Sequence, residues 1–353
     1  MQTLRQRTDW LALLFGLAIV AGCSPASSSS SPGAPGQGKA AGQAVSLLNV
    51  SYDPTRELWK DINRAFADTA RQDFGPIHIK QSHGGSSTQA RAVIDGLEAD
   101  VVSLALWTDT QAIADKGLIS AGWEERLPHR SLPYTSTIVF VVRRGNPKQI
   151  QQWPDLVRPG VSIITPNPKT SGNGKLSFLA AWGSVALKGG SEDEARAFVT
   201  KLYQAVPVLD TGARGATTTF AQKGIGDVHL TWENEAHLEV AEAQGDLEIV
   251  YPALSILAEP HVALVDAHVD RHGTRSAAEA YLQFVYSPAG QEIVARHHYR
   301  PSDPGVLAAH RVEFPEIELF SITQLATDWR AAQEKFFAEG ALFDTIYLAP
   351  RDN

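Results

Sequence analysis

The stretch "ITPNPKTSGNGKLSFLAAWG", residues 163–182, begins as a buried strand and ends as a helix with one apolar face. Ile163 and Ile164 are β-branched, whereas Phe178, Ala181, Trp182 and Val185 recur at helical spacing. Between them Pro, Asn, Ser and Gly turn the chain and open the helix. A strand fed into a helix through a short polar turn is the repeating unit of α/β proteins. The junction also has chemistry to offer. It can cradle a phosphate, raise a nucleophilic serine, or simply turn a corner.

The unit repeats in both directions. Apolar runs "VSLLNV", "IHIKQS", "VVSLAL", "STIVFVV", "VSIITP", "DVHLTW", "LEIVYP" and "HVALVD" read as short strands. Helical periodicity separates them, with Leu58, Ile62, Ala65 and Phe66 on one face and Ala90, Val93, Ile94 and Leu97 on another. This alternation predicts an α/β fold built on mostly parallel sheets. Roughly 310 residues beyond the leader favour two lobes over one sheet. No compositional linker separates the lobes, so the chain is expected to cross between them, near 133–136 and 250–256.

The chain has 353 residues, 43% of them hydrophobic and 20% charged, which describes a globular protein with full cores. A net charge of −8 argues against nucleic acid or a polyanionic surface as partner. It leaves room for a small anion, because a pocket can be locally positive on an acidic surface. "WLALLFGLAIVAG", preceded by Arg5 and Arg7, reads as an export signal too short and too early for a membrane span. It ends in "VAGC", which resembles a bacterial lipobox. That resemblance implies cleavage before Cys23 and lipidation of it; the alternative is an ordinary secretory signal with an incidental Cys. Cys23 is the only cysteine, so the body has no disulfide and no thiol chemistry. The Ser/Gly/Pro/Ala-rich run that follows reads as a flexible tether.

Four turns share one chemistry. "NVSYDPTRELW" ends a strand and opens a helix, with Asp53 placed to cap it and Pro54 at its first position. "QSHGGSSTQARAVI" does the same at Gly84, Gly85 and Ser86. "PNPKTSGNGKLSF" does so at Ser171, Gly172 and Asn173, and "LDTGARGATTTFA" around Gly212 and Ala213. Each is expected at the carboxyl end of a strand, where open α/β sheets place their ligands. Unpaired N–H groups and the positive end of the helix dipole make each a seat for an anion.

Other chemistries fit less well. "SGNGKLS" departs from a nucleotide-binding loop, which needs Gly where Lys169 stands and Ser or Thr where Leu176 stands. Neither Ser86 nor Ser171 lies in a G-x-S-x-G elbow. In "HVDRH", His268 and His272 are spaced like a metal pair, but Gly273 and the surroundings read as a solvated turn. No metal site or cofactor is expected. Glu233 and Glu235 in "WENEA" read as the acidic start of a helix rather than an acid–base pair.

The segments "LLNVSYDPTREL", "QSHGGSSTQA", "YTSTIVFVVRRGNPKQI", "ITPNPKTSGNGK", "LDTGARGATTTF", "GIGDVHLTWENEA" and "SILAEP" resemble the sulfate-binding proteins of bacterial ABC importers. The likeness runs from residue 45 to about 345. It implies the two-lobed periplasmic binding-protein fold of the type II-like class, with a mostly parallel, helix-flanked sheet in each lobe and the ligand cleft between them. The expected division is a lipoprotein signal at 1–22, a tether at 23–44, lobe 1 at 45–134, lobe 2 at 135–252, and at 253–353 a return to lobe 1 plus C-terminal helices.

The resemblance also carries ligand contacts onto individual residues. Asp53, Ser86 and Ala213 match positions that bind sulfate through backbone N–H groups. Ser171 matches a hydroxyl donor, Ser171, Gly172 and Asn173 lie at helix-start amides, and Trp232 matches an indole donor. His83, Lys175 and Arg214 are expected behind these turns. Relatives commonly have "SGGAR" where this chain has "SGNGK", so Asn173 and Lys175 depart from the pattern. A permease is the implied partner of a monomer that is not an enzyme. Thiosulfate, phosphate or molybdate are the alternative ions, and a secreted serine hydrolase using Ser171 is the alternative activity.

Overall fold

The computed structural model describes residues 44–347. The expected signal segment, the lipid acceptor Cys23 and the tether through residue 43 lie outside the described residues. Each of the eight apolar runs contains a strand: β1 (Val45–Tyr52), β2 (Ile77–Gly84), β3 (Val101–Leu104), β4 (Ile138–Arg143), β5 (Ile163–Ile164), β6 (Val228–Trp232), β7 (Leu247–Val250) and β8 (His261–Leu264). They form two four-stranded sheets, ordered β8-β3-β1-β2 in the first lobe and β5-β6-β4-β7 in the second.

In the first sheet β1 pairs in parallel with β2 and β3, and β8 runs antiparallel to β3. In the second, β5 and β6 are parallel, but β4 lies antiparallel between β6 and β7. The expectation of mostly parallel sheets therefore holds for strand direction and needs correction for pairing in the second lobe. The physical reason is connectivity. The reversed strands, β4 and β8, are the two the chain reaches by passing over from the other lobe. Such an arrival is free of the helical crossover that keeps consecutive strands parallel.

Short ladders lace these passages together. Tyr134–Thr135 pairs with Arg300–Pro301, Leu254–Ile256 pairs with Glu318–Phe320, and Ser136 bridges Ala258. A third passage, between Pro301 and Glu318, follows the two expected ones. It carries Trp329, Phe336, Phe337, Phe343 and Ile346 into the second-lobe core around Phe178 and Trp182. Strands of two or three residues leave no periodic trace in a sequence, which is why this passage was not legible there.

Apolar clusters cover both faces of the first sheet, with Trp59, Ile62, Phe66 and Tyr281 on one side and Ala90, Val93, Ile113 and Trp123 on the other. Cover on both faces explains why every residue of β3 and of β6 is buried. Five helices matter for the site: α1 (Arg56–Thr69), α2 (Ser86–Ile94), α3 (Gly172–Ala186), α4 (Ala213–Thr217) and α5 (Glu233–Glu242). A three-residue 3₁₀ turn, Asp53–Thr55, leads into α1. Before α4 the expected strand is absent. Ala205 and Asp210 accept hydrogen bonds from Ile163 and Asn167 alongside β5, without forming a ladder.

Phe178 is fully buried, and its ring centroid lies 5.4 to 6.3 Å from those of Trp182, Tyr203, Phe336, Phe337 and Phe343. Phe178→Ala is expected to destabilise the second lobe by about 3–5 kcal/mol, read as a lower urea midpoint. An unchanged midpoint would show that the C-terminal helices contribute little to that core.

Candidate functional site

A small cavity lies where helix starts from both lobes converge. Tyr52, Asp53, Pro54, Gly84, Gly85 and Ser86 line it from the first lobe, and Ser171, Gly172, Asn173, Ala213 and Trp232 from the second. All seven residues expected at the ion are thus brought together, while His83, Lys175 and Arg214 stand outside the lining. The space open to the centre of a water-sized sphere is about 10 Å³, far below the roughly 300–1,000 Å³ of pockets for organic ligands. It suits one small ion. Among the described residues, Asp53 is the only charged one in its wall, and no Lys or Arg lines it.

The second lobe contributes its donors through α3. Ser171 is the N-cap, and its hydroxyl oxygen accepts the Gly174 N–H at 3.4 Å. That bond uses a lone pair and leaves the O–H free to donate. The backbone N–H of Ser171 is already given to the Asn167 carbonyl at 2.9 Å. Of the three helix-start amides expected here, only those of Gly172 and Asn173 remain. The Asn173 side chain turns inward, with Nδ2 donating to the Leu230 carbonyl and Oδ1 accepting from Ser177 Oγ. Its departure from the glycine of relatives therefore leaves the seat clear. Ala213 opens α4, where N–H groups have no partner within their own helix.

Trp232 ends β6 and occupies the cap position of α5. It is fully buried and packs on Tyr52 with ring centroids 5.1 Å apart. Its indole Nε1 has no hydrogen-bond partner among the described residues. A buried N–H of this kind costs about 1–3 kcal/mol if nothing accepts it; the fully buried Trp59 Nε1 is likewise unpaired among the described residues, and what sets Trp232 apart is its place in the cavity wall.

In the first lobe Ser86 is the first residue of α2. Its hydroxyl donates to Asp109 Oδ2 at 2.5 Å and accepts the Ala105 N–H at 2.9 Å, which leaves the Ser86 amide as the group facing the cavity. Asp53 does not cap its helix as expected. Tyr52 takes the cap position, and Thr55 Oγ1 ties the turn by donating to the Tyr52 carbonyl at 2.7 Å. The Asp53 carboxylate instead faces Arg56 at 3.4 Å. Burial holds its pKa above the usual range, although Arg56 and Arg214 pull it down.

Charges stand one layer back and join the lobes. Arg214 reaches Glu57 of the first lobe at 3.0 Å and the buried Glu235 at 3.3 Å. Burial pushes Glu235 up to about 7 despite that guanidinium. Lys175 donates to Ser87 Oγ at 3.1 Å and lies 3.8 Å from Asp109, both across the cleft. His83 shares a 2.7 Å hydrogen bond with Ser51, and burial, helped by Arg56 and Arg214, pushes it down to about 4. Asp109 and Glu57 had no sequence signal beyond lying in the first turns of helices after β3 and β1.

The lobes meet backbone to backbone. A Cβ on Gly85 would lie 2.3 Å from the Thr170 carbonyl oxygen, and one on Gly172 would lie 2.4 Å from Ala105 Cβ. One on Gly212 would lie 2.4 Å from Asp53 Oδ2. The described form is thus closed over its cavity. His268 and His272 form neither a metal pair nor a solvated turn. Both lie in the Asp266–His272 helix, His268 buried against the Ala99 carbonyl and His272 between Glu98 and Asp100. Glu233 starts α5, as read from sequence, and pairs with Arg300 at 2.7 Å.

Residues 47–300 match the family of bacterial extracellular solute-binding proteins. The chain belongs to that family. It is 54% identical to the sulfate-binding protein of Escherichia coli over 86% of this chain and 93% of that one. It is 50% identical to the thiosulfate-binding protein of Pseudomonas aeruginosa over 88% and 94%. Among solved structures, the sulfate-binding protein of Mycobacterium tuberculosis superposes with a TM-score of 0.77 at 31% identity, covering 83% of this chain and 99% of that one. A periplasmic thiamin-binding protein shares the fold at a TM-score of 0.62 and 17% identity, covering 82% and 94%. The family binds solutes outside the cytoplasm and is not one of enzymes.

Gly85→Ala puts a methyl group into the Thr170 carbonyl only when the lobes are closed. The variant is expected to fold with an unchanged melting temperature without ligand and to bind its ion at least about tenfold more weakly, a loss of roughly 1.4 kcal/mol. Calorimetric affinity equal to wild type would mean the lobes need not approach this closely.

Proposed function

We propose that the protein captures sulfate outside the cytoplasm and delivers it to the permease of an ABC importer. One observation carries the reading: a fully buried indole N–H on Trp232, without a partner among the described residues, at a cavity whose wall also presents helix-start amides, a serine hydroxyl and the Asp53 side chain. In this reading the ion is held by the amides of Asp53, Ser86, Gly172, Asn173 and Ala213, the Ser171 hydroxyl and the Trp232 indole. Hydrogen bonds to a charged acceptor are worth about 1.5–3 kcal/mol each. Seven of them can offset the desolvation of a dianion and leave binding near micromolar, about −8 kcal/mol.

The predominance of donors in the proposed seat supports sulfate over phosphate. Near neutral pH sulfate has no proton, while phosphate usually keeps one, and a phosphate O–H would face another donor. An unmatched contact of that kind costs about 1–3 kcal/mol. Asp53 is the charged acceptor in the wall; its Oδ1 lies 3.4 Å from Arg56, while its Oδ2 faces Gly212 of the second lobe. Thiosulfate is the second reading. It is a tetrahedral dianion of the same charge, and a relative named for binding it is 50% identical to this chain. Closure would bring the two halves of the seat together and give the permease a shape to recognise. A lipid on Cys23 would keep the monomer tethered at the membrane facing the periplasm.

Trp232→Phe keeps an aromatic ring against Tyr52 and removes the indole N–H together with its five-membered ring. Sulfate affinity should fall about ten- to a hundredfold, with the circular dichroism spectrum unchanged. Equal affinity by calorimetry would show that the indole does not contact the ion.

A further inference from the structure

The adjacent histidines His297 and His298, which the ion seat leaves unused, meet a third histidine from the other lobe. His237 lies on α5, which packs against β4 and β7 of the second sheet. His298 follows the Pro288–Arg296 helix, which packs on α1 in the first lobe. The rings of His237 and His298 stack with centroids 4.0 Å apart and planes 11° from parallel. Pro54 and Glu57 from one lobe and Asn234 and Leu238 from the other line the same cleft. Asn234 Nδ2 donates to the Pro54 carbonyl at 3.2 Å, and Pro54 also borders the ion cavity. The stack therefore belongs to the contact that forms when the cavity closes.

The surroundings decide what a proton would do there. The Tyr251 hydroxyl sits 3.1 Å from His237 Nε2. Glu313, 3.7 Å from His298 Nδ1, favours a proton on either ring. Opposing it are the partner ring itself, His297 and His310. His297 is paired with Asp61, and His310 lies between Glu292 and Glu313. Arg296 and Glu57 line the cleft with opposite charges. Burial is the largest influence on both rings, pushing His237 down to about 4 and holding His298 below its ordinary value. Stacked imidazoles tolerate each other when neutral. A proton on one places charge against the face of another ring away from water, and two protons repel.

We propose that the His237–His298 stack is a proton-operated clasp between the lobes: neutral rings let the cleft close over the anion, and protonated rings hold it open. The inference goes beyond the ligand reading, because it acts on closure whichever oxyanion is bound. The sign follows from linkage. In an open form the rings meet water and regain affinity for protons near 6.5. The closed form binds fewer protons, so its advantage is complete above that value and is lost as pH falls toward about 4. An extracytoplasmic protein meets such changes directly.

The test is calorimetry of the full-length protein with sulfate and with thiosulfate, at about pH 7.5 and about pH 5. Both ions keep their charge across that range. Wild-type affinity is expected to fall about tenfold on acidification, while the double variant His237→Phe/His298→Phe, which keeps two stacking rings but can take neither proton, stays within about twofold. An equal fall in the variant, or none in wild type, would overturn the clasp. If sulfate fails to bind at the higher pH, the ligand reading fails, and the clasp is judged on thiosulfate. Should neither ion bind, small-angle scattering of the protein alone at the same two pH values decides: a more extended form at the lower pH in wild type but not in the double variant supports the clasp, and equal profiles overturn it.

Discussion

Two lobes can enclose a single ion only if backbone meets backbone, and that approach is what the rest of this structure depends on. Gly85, Gly172 and Gly212 stand where any side chain would strike the opposite lobe. Their absence of side chains lets helix starts from both lobes face one cavity too small for an organic ligand. The same constraint selects the donors. Amides of a first turn need no length to reach the ion, cost no side-chain entropy to order, and arrive with the helix dipole behind them.

Among the described residues, Lys and Arg are kept out of the cavity wall and used elsewhere. Arg214 and Lys175 each come from the second lobe and find carboxylates of the first, Glu57 and Asp109. Asp109 in turn accepts the Ser86 hydroxyl, so the lobe-to-lobe contact and the orientation of a cavity amide are mechanically linked. A cation in the wall would deepen binding of any anion and slow its departure. In the proposed reading, distributed neutral donors would favour an ion without protons and release it when the lobes part.

Much of this was written in the sequence because turn chemistry is local. The small residues of "HGGSS", "TSGNG" and "TGARG" located three of the four helix starts and their amides, and eight apolar runs located the strands. What escaped depended on distant partners. Asp53 was read as a cap, yet Thr55 ties that turn; nothing in "YDPT" distinguishes the two. The Ser171 amide was read as available, yet Asn167, four residues earlier, takes it. The reversed strands β4 and β8 follow from lobe-to-lobe passages, which periodicity does not encode. Asp109 lies in a helix of ordinary composition, and only the fold sets it opposite Lys175.

The central claim is that the seat consists of donors alone. Calorimetric titration with sulfate and with phosphate near neutral pH, on the same protein preparation, tests it most directly. Sulfate should bind at least about tenfold more tightly, since each phosphate O–H facing a buried donor costs about 1–3 kcal/mol. Phosphate binding as tight as sulfate, or tighter, would mean that an acceptor, with the Asp53 carboxylate first in line, points at the ion.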